Sequence, residues 1–120
     1  MIGTTLVLGA SEKPHRYAHM AVQRLAAAGH PVLAVGRRPG RIGAVPILTE
    51  LPADARVDTV TLYLAPMNLE PWRARIMALG PRRVIFNPGT EDAAFARALR
   101  RQGIEAVEAC TLVMLATGQY

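Results

Sequence analysis

The chain has 120 residues, 51% of them hydrophobic and 19% charged, with a net charge of +5 and a pI near 10.3. That length fits one domain (1–120) able to bury about two-thirds of its unfolded surface, and the composition excludes a disordered chain. A single cysteine, Cys110, excludes an internal disulfide, and no apolar run approaches the ~18 residues of a membrane span.

Aromatic residues make up only 5%, so the core must be built from Ala, Val, Leu and Ile. The first residues pass straight into an apolar run with no basic segment or cleavage site, which predicts a cytoplasmic protein without a signal peptide. That run, Thr4 to Leu8, reads as a strand ending at Gly9. Tyr17, Met20, Ala21, Leu25 and Ala28 then recur at helical spacing, with Arg16, His19, Gln23 and Arg24 on the opposite face. Pro14 suits the first turn of this helix and Gly29 its stop. A second strand follows from Pro31 to Val35.

The stretch from Gly36 to Pro52 is rich in Gly and Pro and reads as an irregular crossover with a short third strand at Ala44 to Leu48. Thr59 to Leu64 is the next strand, followed by a helix carrying Trp72, Ile76 and Leu79 and closed by Gly80-Pro81. Arg83 to Phe86 is a strand; Ala94, Phe95, Ala98 and Leu99 mark a helix ended by Gly103; Glu105 to Ala109 is a last short strand before an apolar tail, Leu112 to Leu115. This alternation predicts one doubly wound, Rossmann-like α/β domain. Its sheet should be mostly parallel, with five to six strands and helices on both faces.

In such sheets ligands bind at the carboxyl ends of the strands, near the point where strand order reverses. Four segments fall there: Gly9-Ala10-Ser11, Gly36-Arg37-Arg38, Ala65-Pro66-Met67-Asn68 and Asn87-Pro88-Gly89-Thr90. Gly9 allows a tight turn and close backbone approach to a phosphate, and Ala10 is also small. Ser11 is placed to cap the helix whose N-terminus favours an anion, with Lys13 and Arg16 nearby. Arg37 and Arg38 suit a ribose phosphate, since guanidinium groups fork onto phosphate oxygens. Asn87 offers side-chain hydrogen bonds to a ligand, and Thr90 stands where it could cap the next helix. The segments at Gly9, Gly36 and Asn87 also have a plainer reading as a turn, a solvated basic loop or a cap.

Val7-Leu8-Gly9-Ala10-Ser11, Pro14 and Ala28-Gly29-His30-Pro31-Val32 together resemble the CoA-binding domain family. That family is similar to the nucleotide-binding domain of the succinyl-CoA synthetase α subunit. The resemblance continues through Thr61-Leu62-Tyr63-Leu64, Phe86-Asn87-Pro88-Gly89-Thr90 and Glu108-Ala109-Cys110-Thr111, so it covers essentially the whole chain. It implies that coenzyme A, or an acyl-CoA, lies with its diphosphate on Gly9 to Ser11. The loop after the second strand would lie near the adenosine, and Pro66 and Asn87-Pro88-Gly89 would line the rest of the groove. Many members have Asn-Pro-Lys after the second strand where this chain has Gly36-Arg37-Arg38; the charge is kept and the local contacts differ.

The synthetases need further domains for their chemistry, and 120 residues leave no room for them. His15, His19 and His30 lie on or beside the first helix and form no pattern with a nucleophile, and Cys110 reads as a small core or tail residue. A non-catalytic binding protein with no metal site is therefore expected. An NADP-binding oxidoreductase fragment or subunit is the main alternative, although Glu12, Lys13 and Pro14 stand where a dinucleotide fingerprint would carry glycines. The scattered arginines, without a stacking set of aromatics, argue against nucleic acid. A homodimer or a partner enzyme subunit would be compatible with so small a domain.

Overall fold

A computed structural model describes residues 3–120. Seven strands form one sheet: β1 (Thr5–Leu8), β2 (Val32–Val35), β3 (Gly40–Ile42), β4 (Val45–Leu48), β5 (Thr59–Leu62), β6 (Arg83–Phe86) and β7 (Glu105–Glu108). Their order is β3-β4-β2-β1-β5-β6-β7, and all pairs are parallel except β3 with β4. The expected five to six strands thus become seven. The additional strand is β3, folded back on β4 through Gly43, which takes φ +59° at the turn. Pro46 is tolerated in β4 because pairing with β2 begins only at Ile47, so no ladder donor is missing from that side.

The helices are α1 (Tyr17–Ala27), α2 (Pro66–Leu69), α3 (Arg73–Leu79), α4 (Ala93–Arg101) and α5 (Thr111–Ala116). Alternation along the strands divides the core into two layers. Leu6, Leu8, Val60, Leu62, Val84 and Phe86 face Leu69 of α2, Ile76 of α3 and Phe95 and Leu99 of α4. Val7 and Ala34 face Ala18, Val22 and Leu25 of α1, with Leu115 of α5 and Tyr120 at the margin. The sheet is therefore covered on both faces, α1 and α5 on one and α2, α3 and α4 on the other.

Three local expectations are corrected. The first helix begins at Tyr17 rather than around Pro14, and its apolar face is Ala18, Ala21, Val22 and Leu25 together with His19. Tyr17 is 68% exposed instead of inward, while His19, expected on the solvent side, is buried and meets the Ser11 carbonyl through Nδ1 at 2.9 Å. The helix expected around Trp72 is broken into α2, a 3-10 turn (Glu70–Trp72) and α3. Pro71 is the cause, since it lacks the N–H that would continue α2. Finally, α4 is capped by Asp92, whose carboxylate accepts from the Phe95 N–H at 3.1 Å and pairs with Arg73 of α3. Thr90 instead donates its hydroxyl to the Asn87 carbonyl at 2.8 Å and is buried.

Candidate functional site

The carboxyl ends of β1, β2, β5 and β6 converge where strand order reverses, between β1 and β5. The loop from Gly9 to Arg16 leaves β1 with Gly9 at φ +101°, packed so tightly that an added Cβ would stand 2.8 Å from the Tyr63 carbonyl oxygen. The Gly9 and Ala10 N–H groups both donate to the Val35 carbonyl, at 2.8 and 3.0 Å. Their backbone is thus spent on joining β1 to β2. Gly9 is required by the fold before any ligand is considered, so Gly9→Ala should cost about 1–3 kcal/mol of stability, read by denaturant unfolding. For the same reason Gly9→Asp tests folding rather than phosphate binding.

The loops after β1 and β2 lie against one another. A Cβ on Gly36 would overlap the Ala10 carbonyl oxygen at 2.2 Å, so glycine is what lets the two backbones touch. Farther out, Glu12 reaches over Gly40 and accepts from the Arg41 N–H at 2.8 Å, clasping the β1–α1 loop to β3. Ser11 does not cap α1; its hydroxyl accepts from the Lys13 N–H at 3.1 Å within the loop. The N-cap of α1 is Arg16, which makes no side-chain capping bond. The first turn of α1 therefore presents N–H groups without a capping side chain, beside the exposed Lys13 and Arg16. Arg37 and Arg38 are exposed on the neighbouring loop.

Across the crevice Pro66, Pro88 and Gly89 are exposed, and the Gly89 N–H donates to Glu91 at 2.9 Å. Asn87 is only 2% exposed. Its Nδ2 donates to the Thr61 hydroxyl at 2.7 Å and the Leu62 carbonyl at 2.8 Å, and its Oδ1 accepts from the Thr111 N–H at 2.9 Å. Those partners also fix which end of the amide is nitrogen. The expectation that Asn87 offers this side chain to a ligand is corrected: it ties β6 to β5 and α5 beneath the crevice.

Tyr63, at the end of β5, has a buried hydroxyl without a hydrogen-bond partner among the described residues. Burial pushes its pKa up to about 12, and the nearby Thr111 and Thr61 hydroxyls offset only part of that. A phenol raised above its ordinary 10.0 favours the neutral form when folded. Stability from Tyr63 should be full below pH 10 and fall as pH rises toward 12, which unfolding measured across that range with Tyr63→Phe as control would check.

A family model described as a CoA binding domain matches residues 3–116. The chain belongs to the CoA-binding domain family. A crystal structure of an uncharacterized protein shares 44% identity with a TM-score of 0.95, covering 100% of this chain and 99% of that one. Cell-free ID.343 from Thermus thermophilus follows at 25% identity and TM-score 0.86, over 99% of this chain and 91% of that one. A hypothetical protein from Pyrococcus horikoshii OT3, at 18% identity and TM-score 0.84 over 94% and 81%, shares the fold. No curated protein matches.

In this CoA-binding domain, then, Gly9, Ala10, Ser11, Lys13, Arg16, Gly36, Arg37, Arg38, Pro66, Pro88 and Gly89 gather around the carboxyl ends of the strands, and Asn87 lies beneath them. Sequence reasoning missed the Glu12 clasp, which joins residues 29 apart and has no local signal. Met67, in the strand-end segment named from the sequence, is 80% exposed beside Pro66. Among the described residues no group of three or more His, Cys, Asp or Glu converges as metal ligands do, and no helix is long and apolar enough to cross a membrane.

Proposed function

We propose that this chain is a non-catalytic binding protein for coenzyme A or an acyl-CoA, held along the carboxyl ends of a Rossmann-like sheet. The uncapped N-terminus of α1 carries the reading. A diphosphate there would receive free N–H groups, the favourable end of the helix dipole and the charges of Lys13 and Arg16. The N–H groups of the first turn of α1 serve this role, because those of Gly9 and Ala10 are engaged with Val35, that of Lys13 with the Ser11 hydroxyl and that of Arg16 with the Lys13 carbonyl. Arg37 and Arg38 take the ribose phosphate, and Pro66, Pro88 and Gly89 flank the remainder of the ligand. Asn87 acts from below by fixing the crevice floor.

The way two candidate groups are used supports a role without chemistry. His19 is committed to the Ser11 carbonyl, and Cys110 begins α5 half-buried. A lone cysteine suits a reducing, cytoplasmic setting. The ligand or a partner enzyme subunit would supply the reactive group.

Ligand-dependent melting tests this with CoA, acetyl-CoA, dephospho-CoA, NADP and NAD. At one hundred times its dissociation constant a ligand adds about 2.7 kcal/mol, which raises the melting temperature by several degrees. Stabilisation by CoA and acetyl-CoA is expected. A response to NADP alone would replace this reading by that of an oxidoreductase fragment or subunit.

A further inference from the structure

The amino ends of the strands hold a second charge that the crevice does not use. Arg83 opens β6 and is only 6% exposed. Among the described residues its Nε has no hydrogen-bond partner, and the ion pairs are Arg73–Asp92 and Arg82–Asp58, neither of which involves it. Its guanidinium instead lies over the ring of Tyr120, 4.6 Å from the ring centre. A ring face offsets only part of the desolvation of a buried cation. Such a charge is normally paired.

Arg83 lines a half-open cavity of about 250 Å³ together with Thr5, His30, Asp58, Arg82 and Tyr120. At about 30 Å³ per water in the liquid, that volume corresponds to roughly eight waters. It has room for a small anion. Asp58 makes no ion pair with Arg83; its carboxylate is bonded to Arg82 through Nε at 3.3 Å and Nη2 at 3.2 Å and to the Thr59 hydroxyl at 3.0 Å. Tyr120 is fixed in place by its hydroxyl's bond to Thr5 and by the edge of the His30 ring, 4.9 Å centre to centre. The cavity is thus preorganised, and its lining side chains, Arg82 and Arg83 against Asp58, leave one positive charge in excess.

We infer that this cavity is a second binding site, taking a small oxyanion, a carboxylate or phosphate group, on the guanidinium of Arg83. The site lies at the opposite end of β1 from the crevice, since Thr5 begins that strand and Gly9 follows its end. It does not depend on the coenzyme A reading.

The test titrates inorganic phosphate and sodium acetate separately into isotope-labelled full chain, with chloride holding the ionic strength constant. Saturable resonance shifts are expected at Thr5, His30, Arg82 and Arg83, including the Arg83 side chain. Arg83→Gln should weaken them about tenfold or more, the worth of a charge-assisted hydrogen bond. A response to phosphate alone assigns a phosphate-bearing ligand, and one to acetate alone a carboxylate. Shifts confined to Ser11, Lys13 or Arg37, or shifts unchanged in Arg83→Gln, would overturn the site. The mapping on the unaltered chain decides the matter even where Arg83→Gln does not fold.

Discussion

Asn87→Ala should remove about 3–5 kcal/mol of stability, the largest single effect expected in this chain. The side chain makes three hydrogen bonds at 2.7–2.9 Å in a site that water does not reach. Alanine would leave the Thr111 N–H and the Leu62 carbonyl buried without these partners, and each such group costs about 1–3 kcal/mol. A small cavity adds to the loss. The midpoint of urea unfolding should fall with the slope unchanged. A loss below about 1 kcal/mol would mean that water enters and replaces the amide. Asn87→Asp offers a sharper comparison: it restores the acceptor for Thr111 but sets a carboxylate against the Leu62 carbonyl, so it should fare no better than alanine at neutral pH.

The double substitution Arg37→Ala, Arg38→Ala should weaken CoA binding by roughly 30–150-fold while leaving dephospho-CoA nearly unchanged. The two guanidinium groups follow β2 and are exposed, so each contact to a ribose phosphate is screened and falls at the lower end of the 1.5–3 kcal/mol typical of charged hydrogen bonds. Together they amount to about 2–3 kcal/mol, which is the stated factor. Calorimetric titration of both ligands into both proteins gives the comparison directly. Equal losses for CoA and dephospho-CoA would move the arginines to another part of the ligand, and no loss would remove them from the site. Neither residue is part of the core, so the variant should melt where the parent does.

Most of the parallel strands were legible because they are short apolar runs bounded by Gly, Pro or polar residues. β6 was read at Arg83 to Phe86, and the other expected runs missed their ends by one or two residues. β3 was not legible: Gly40-Arg41-Ile42 is too short to show a period and gains its place only by pairing with β4. The start of α1 was misplaced because Ser11 and Pro14 carry helix-start chemistry, yet the chain makes a separate turn, Arg16 N–H to the Lys13 carbonyl at 3.1 Å, before the helix begins. The crevice residues were found because loops at strand ends can be ordered from sequence alone. What each side chain does there could not be, since Asn87 bonds to residues 24 to 26 positions away.

The two borders of the sheet bear on how copies of the chain meet. β7 exposes Glu105 and Glu108, and an antiparallel pairing of its four residues with a second β7 would set each Glu105 opposite a Glu108. Like charges directly opposed across strands are destabilising. The other border, β3, offers only three residues, with Arg41 turned to solvent. Short or charged borders of this kind resist strand-to-strand polymerisation. Neither border therefore offers a long, uncharged edge on which copies of the chain could add strand to strand.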